Sequence, residues 1–175
     1  EANRIEKLTQ SLHSLSLLEA AKIDLSERFD IVSLVTHCVH SEQVRMSQRS
    51  LQIRTHFVQP TLEIRGNQQW LKYAVLNLIS NAIEFSPQFG AIDITVTTQG
   101  REVRVVIEDE GPGIPEWALP KIYDKFFSLP RPDTNKKSSG LGLTISREVA
   151  QLHGGTLVLS NRDGGGTMAM LLLQC

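Results

Sequence analysis

A chain of 175 residues is long enough for one ordinary domain with its own core, and 41% hydrophobic with 21% charged residues is the balance of a globular protein. A formal net charge of -1 argues against a nucleic-acid binder, which should carry a basic face. The 2 cysteines, Cys38 and Cys175, form no CxxC and the 5 histidines lack ligand spacing, which argues against a disulfide framework or zinc site and for a reducing cytosol. No apolar run is long enough to span a membrane and no signal peptide is visible. The start at Glu1 without Met suggests a fragment of a longer protein.

Residues 1–23 read as a helix. Ile5, Leu8, Leu12 and Leu15 step as a short heptad seam, which Leu17 and Leu18 broaden. The seam serves either a dimer or packing on the chain's own domain, and two heptads do not decide between them. Residues 24–30 are polar and end the segment. Asp30 caps a second helix from Ile31 to about Ser47, with Ile31, Leu34, Val35, Cys38 and Val39 on its apolar face. Leu51, Ile53 and Thr55 alternate as a half-buried strand, Gln59-Pro60 breaks the run, and Leu62 and Ile64 form a second short strand.

The longest amphipathic stretch is Gln69 to Ser86, QWLKYAVLNLISNAIEFS. Leu71, Ala74, Val75, Leu78, Ile79, Ala82 and Ile83 place one broad apolar stripe along it. Pro87 and Gly90 stop this helix. Ile92 to Thr97 and Val103 to Ile107 are paired strands around a Gly100-Arg101 hairpin. From Asp109 to Ser139 periodicity disappears and Pro and Gly are frequent, the pattern of a functional lid. Gly140 to about His153 is helical, and Thr156–Ser160 and Thr167–Leu173 close the chain as strands. This order implies an α+β fold: a two-layer sandwich of a mixed, mostly antiparallel sheet covered by about three helices, with a long lid.

Three constellations carry chemistry. Asn77 and Asn81 stand four apart on one side of a strong helix, where asparagine is a poor helix former. They are either solvated polar residues or amide-oxygen donors for a hard cation such as Mg²⁺. Asp109-Glu-Gly-Pro-Gly-Ile114 follows a strand. It is either an ordinary Gly-Pro turn or a carboxylate accepting from an exocyclic amine, with Gly111 and Gly113 admitting a flat ring. Ser138-Ser-Gly-Leu-Gly-Leu143 opens a helix whose free N–H groups favour phosphate. It is not a Walker A loop, since no Gly-Lys-Ser/Thr follows.

In this order the three resemble the N, G1 and G2 boxes of sensor histidine kinases, which belong with gyrase B, the Hsp90 chaperones and MutL to the GHKL, or Bergerat-type, ATPases. Ile122 to Phe127 is similar to the family's F box. His153-Gly-Gly-Thr-Leu with Gly165-Gly-Thr167 resembles its closing glycine motif. The stretch Phe126-Phe-Ser-Leu-Pro-Arg-Pro132, followed by the G2 segment, is similar to the CreC-type carbon-source-responsive branch. The resemblance implies ATP and Mg²⁺ as ligands, with Asn77 and Asn81 on the metal. It implies Asp109 on adenine, Gly111, Gly113 and Ile114 around it, and Phe85 against the purine. Lys125 would reach the phosphates, and Ser139, Gly140, Leu141 and Gly142 would cradle them. Phe126 and Phe127 would anchor the lid.

The implied function is that of an ATP-binding catalytic domain, residues 24–175. Residues 1–23 would then be the tail of the dimerisation helices. The γ-phosphoryl group would go to a histidine of the dimerisation domain and on to a response regulator. The implied setting is a homodimeric inner-membrane sensor with this domain in the cytoplasm, and no nucleic-acid partner. None of the five histidines sits in an HExxxP-type context, so the phospho-acceptor is expected outside this sequence. Asn rather than Glu at position 77 leaves no base for water, so hydrolysis should be slow. Glu84 departs from the family's Lys or Arg and should weaken binding unless it points away, with Lys125, Arg131, Lys136 or Lys137 compensating. Two alternatives remain open: a nucleotide-responsive interaction module with weak or no kinase activity, and a serine kinase of the anti-sigma type.

Overall fold

The computed structural model describes residues 9, 12, 13, 15–18 and 23–174. Strand β1 (Glu27–Asp30) lies in the stretch expected to be only a polar terminator, and it pairs antiparallel with β3 (Glu63–Gly66). The Asp30 carboxylate caps α1 (Ile31–Ser41) by accepting from Val32 and Ser33 N–H. It also accepts from Leu62 N–H at 2.7 Å, and so ties the start of β3 to the same helix. The expected single helix to Ser47 breaks at Glu42, and α2 (Gln43–Gln48) follows. At the break, Ser41 Oγ donates to the Cys38 carbonyl at 2.8 Å and Glu42 leaves helical ψ.

Strand β2 (Gln52–Phe57) does not pair with β3, its neighbour in sequence. It lies parallel to β4 (Ala91–Gln99), with Ile53 opposite Ile92. Pro60 supplies no donor to continue the ladder, and four residues of β3 with one buried apolar side chain, Ile64, match β1 and its Phe29 instead. Strands β4, β5 (Glu102–Asp109), β7 (Thr167–Gln174) and β6 (Thr156–Asn161) continue the sheet antiparallel in the order β2-β4-β5-β7-β6.

Helix α3 (Gln68–Phe85) buries all seven residues of its apolar stripe, and the Asn67 side chain caps it by accepting from Trp70 N–H. It packs between α1 and α4 (Gly142–Leu152), over Ile92, Ile94, Val105, Ile107 and Leu171. The expected two-layer α+β sandwich is present. His153 pins the end of α4 to the start of α3. Its Nε2 accepts from Asn67 N–H at 2.9 Å, which leaves the proton on Nδ1 to donate to the Val149 carbonyl at 2.7 Å. Burial holds this imidazole below its ordinary pKa, against the opposing hydrogen bond to Val149. Cys38 is buried, and desolvation pushes its thiol up to about 11, so it is inert packing.

In the N-terminal stretch Leu15 and Leu18 are buried within the main core, while Leu12 and Leu17 are exposed. Ile5 and Leu8 of the expected seam lie outside the described residues.

Candidate functional site

A cleft of about 1300 Å³ opens between α3, the ends of β5 and β7, the segment 110–141 and the first turn of α4. Asn77, Asn81, Phe85, Asp109, Gly113, Ile114, Ser139, Gly140 and Gly142 line it, so the three motifs converge on one space. Gly111, Lys125 and Leu141 are not among its walls. Leu141 is fully buried and anchors α4 from below. Lys125 is exposed.

At one end the Asp109 carboxylate is buried, and desolvation raises its pKa despite the hydrogen bonds it accepts. Gly111 N–H donates to Oδ1 at 2.8 Å and Thr167 N–H at 3.1 Å. Oδ2 receives neither, which leaves an oriented acceptor for an amine in a desolvated pocket. The glycines beside it serve the fold more than a ligand. A Cβ on Gly111 would meet the Phe85 carbonyl at 2.7 Å, and one on Gly113 would meet Asn161 Oδ1 at 2.9 Å. Gly111, expected to admit a ring, also admits the last turn of α3. Asn161 grips the Ile114 peptide with both ends of its amide, at 2.6 and 2.9 Å. Sequence reading missed Asn161, because a single Asn at a strand end has no periodic or spacing signal.

The two asparagines of α3 differ. Asn77 Nδ2 donates to Ser146 Oγ at 3.0 Å, and Asn77 Oδ1 lies against the Gly142 backbone, where a Cβ would sit 2.1 Å away. Asn77 thus braces α3 on the first turn of α4. The Asn81 amide lines the cleft and makes no hydrogen bond among the described residues. Opposite, α4 begins at Leu141 with no side-chain cap, so its first N–H groups are open to an anion. No cluster of three or more His, Cys, Asp or Glu occurs among the described residues. A hard cation in this cleft would rely on amide oxygens and on the oxygens of its own ligand.

The segment 110–141 is built around a small apolar cluster of Ile114, Ala118 and Ile122, onto which Phe127 and Leu129 pack. Tyr123 Oη accepts from Leu159 N–H and donates to the Leu157 carbonyl, both at 3.0 Å, fixing the segment to β6. Phe127 meets Trp117 edge-on at 6.2 Å. Phe126, expected as a second anchor, is 59% exposed, because its positive φ turns the ring outward. Phe85 does not present a bare ring to the cleft: the Arg131 guanidinium lies 4.5 Å from its centroid. Glu84 pairs with Arg45 and Arg131.

A cleft with a buried carboxylate acceptor at one end and an open helix N-terminus at the other defines a nucleotide-type site. The model of the family of histidine kinase-, DNA gyrase B- and HSP90-like ATPases matches residues 66–175, and the chain belongs to this family. It is 31% identical to the sensor protein CreC of Escherichia coli (strain K12) over 98% of its own length and 35% of that protein's. It spans about a third of the curated relatives it matches. Among solved structures it superposes with a TM-score of 0.76 on the nucleotide-free catalytic domain of histidine kinase ThkA, at 26% identity over 85% of this chain and 96% of that one. Full-length ShkA, solved in complex with AMPPNP, gives 0.81 at 25% identity over 95% of this chain and 35% of that one. No helix among the described residues is long and apolar enough to cross a membrane.

Proposed function

We propose that this chain is the ATP-binding catalytic unit of a sensor histidine kinase. The observation that carries this is the polarity of one cleft, lined by the spare oxygen of Asp109, the unbonded Asn81 amide and the open α4 N-terminus. Asp109 accepts from the adenine amino group, and Ile114 lines the ring. Asn81, aided by Asn77, would hold Mg²⁺, which would supply charge neutralisation for the phosphates. Ser139, Gly140 and Gly142 offer backbone N–H groups to them.

The cleft holds no carboxylate at position 77 to activate water, so the γ-phosphoryl group is kept for a protein nucleophile. Its bond to the β-phosphate oxygen breaks, a bond to an imidazole nitrogen forms, and ADP leaves. Such transfer asks the protein mainly for positioning and charge neutralisation. The acceptor is a histidine on the dimerisation helices of an intact homodimer, and the next acceptor is an aspartate of a response regulator. On this reading residues 1–23 belong to those helices and 24–175 form a cytoplasmic domain of an inner-membrane sensor. The alternative of a non-catalytic interaction module rested on Glu84, and that carboxylate is occupied by two arginines.

Titration with a fluorescent ATP analogue tests the reading. Binding that strengthens with Mg²⁺ and is displaced by ATP is expected. Absence of binding in both conditions would overturn it.

A further inference from the structure

Asn161 ends β6 and is exposed, yet both ends of its amide turn inward to a single peptide. Oδ1 accepts from Ile114 N–H at 2.6 Å, and Nδ2 donates to the Ile114 carbonyl at 2.9 Å. The side chain copies the pair of bonds that two residues exchange across an antiparallel ladder, and so extends the sheet edge onto the loop after β5. Folding alone does not call for this, because water could serve an exposed amide as well. The Ile114 backbone has no other hydrogen bond among the described residues.

That loop runs from one wall of the base pocket to the other. At its start the buried Asp109 carboxylate offers Oδ2, and at its end Ile114, 8% exposed, lines the same cleft. The Asp109 end is tied to the β6–β7 hairpin by Thr167 N–H on Oδ1 and by Arg162 Nη1 on the Asp109 carbonyl at 2.7 Å. At the Ile114 end, the hydrogen bonds to that hairpin come from Asn161. Pro112 has no N–H to give. Gly113, at φ +76°, leaves room for the amide, since a Cβ there would meet Asn161 Oδ1 at 2.9 Å. Asn161 itself is not a wall of the cleft, so it acts on a ligand through Ile114.

We propose that Asn161 is the positioning residue for base selection, holding Ile114 so that a purine stays in register with Asp109 Oδ2. The inference rests on the nucleotide reading above and adds to it what makes the pocket selective. A 6-amino purine donates to that oxygen. A 6-oxo purine turns an acceptor toward it, and can offer its N1–H only after the ring slides along the Ile114 wall. A desolvated polar group discriminates strongly when the wrong ligand leaves it unpaired. That holds only while the surrounding wall keeps the ring within about 0.5 Å of its place. A loosened Ile114 lets the ring slide, and selection fades before binding does.

Competition against a fluorescent ATP analogue, titrated first on each variant, reads the affinities of adenosine, inosine and, with Mg²⁺, AMPPNP. The parent should prefer adenosine to inosine. Asn161→Ala should weaken adenosine about tenfold and inosine within about twofold, so that the preference narrows. AMPPNP should weaken by the same factor as adenosine, because the phosphate end is untouched. Asn161→Asp should fall between, since it keeps the acceptor for Ile114 N–H and loses the donor to the carbonyl. It carries the test alone should the alanine variant not fold, and thermal melting of both verifies folding. A folded variant that keeps the parent's preference for adenosine over inosine, or that loses the two nucleosides equally, would overturn the proposal while the nucleotide reading stands. A parent chain that binds neither AMPPNP nor adenosine would overturn both.

Discussion

Helix α3 and the lid face each other across the cleft and are held by different forces. On α3, Leu71, Ala74, Val75, Leu78, Ile79, Ala82 and Ile83 are all buried, and Ile79 has no exposure. The lid has one small cluster, around Ile114, Ala118 and Ile122, and beyond it the tip is attached through Arg131 to Glu84 and Asp133 to Arg49. Burying an apolar side chain contributes a few kcal/mol, while a partly exposed ion pair contributes about 0–1 kcal/mol. One wall of the site is therefore fixed by the fold, and the other is attached by contacts that a charged ligand can reorganise.

Substitutions should separate these two walls. The largest effect on stability is expected in α3. Ile79→Ala should cost about 2–5 kcal/mol in urea-induced unfolding, because it opens a cavity that a fully packed site cannot collapse. A loss under about 1 kcal/mol would mean that the helix is not the organising element.

Asp109→Asn comes next and acts on function rather than on folding. Desolvation raises this carboxyl, so the native state holds its proton to a higher pH than the unfolded chain does. Ionisation therefore costs stability as pH rises through that window. The neutral amide keeps an oxygen for Gly111 and Thr167 N–H and removes the cost. Nucleotide affinity should fall at least about tenfold while the melting temperature holds or rises. A falling melting temperature would show the carboxylate to be structural.

His153 gives a smaller, pH-dependent effect. Its pKa is lowered by burial, so the unfolded chain takes up this proton first as pH falls through about 6.5. Stability should decline from neutral pH toward acid until the depressed native pKa is reached, and His153→Gln should flatten that part of the curve. The smallest effect is expected at the lid tip. Asp133→Ala should change stability by less than about 1 kcal/mol, yet it should hasten proteolysis between residues 131 and 138 by freeing the tip from Arg49.

The same contrast explains what the sequence made legible. The α3 stripe, the β4–β5 hairpin and the convergence of Asn81, Asp109 and Gly142 on one cleft were readable, because apolar periodicity and ordered motifs encode them. Strand β1 was not, since Phe29 is the one buried residue in a polar stretch and its partner β3 lies more than thirty residues away. The break of the first helix was hidden in a Ser41 hydroxyl that captures a helix carbonyl. In the site, Lys125 was the expected phosphate cation and Arg131 only one of four possible compensators for Glu84, and the three-dimensional pairing with Glu84 is what places Arg131 in the cleft. The bracing of Asn77 by Ser146 and the grip of Asn161 on Ile114 join residues 69 and 47 positions apart, which no local pattern records.

The central claim is that the unbonded Asn81 amide holds the cation that steadies a triphosphate. Calorimetric titration of Mg²⁺–AMPPNP into the parent and the Asn81→Ala chain addresses it most directly, with circular dichroism to verify that both are folded. The account predicts a folded variant that has lost the Mg²⁺-dependent part of its affinity. A variant that binds Mg²⁺–AMPPNP as tightly as the parent would contradict it.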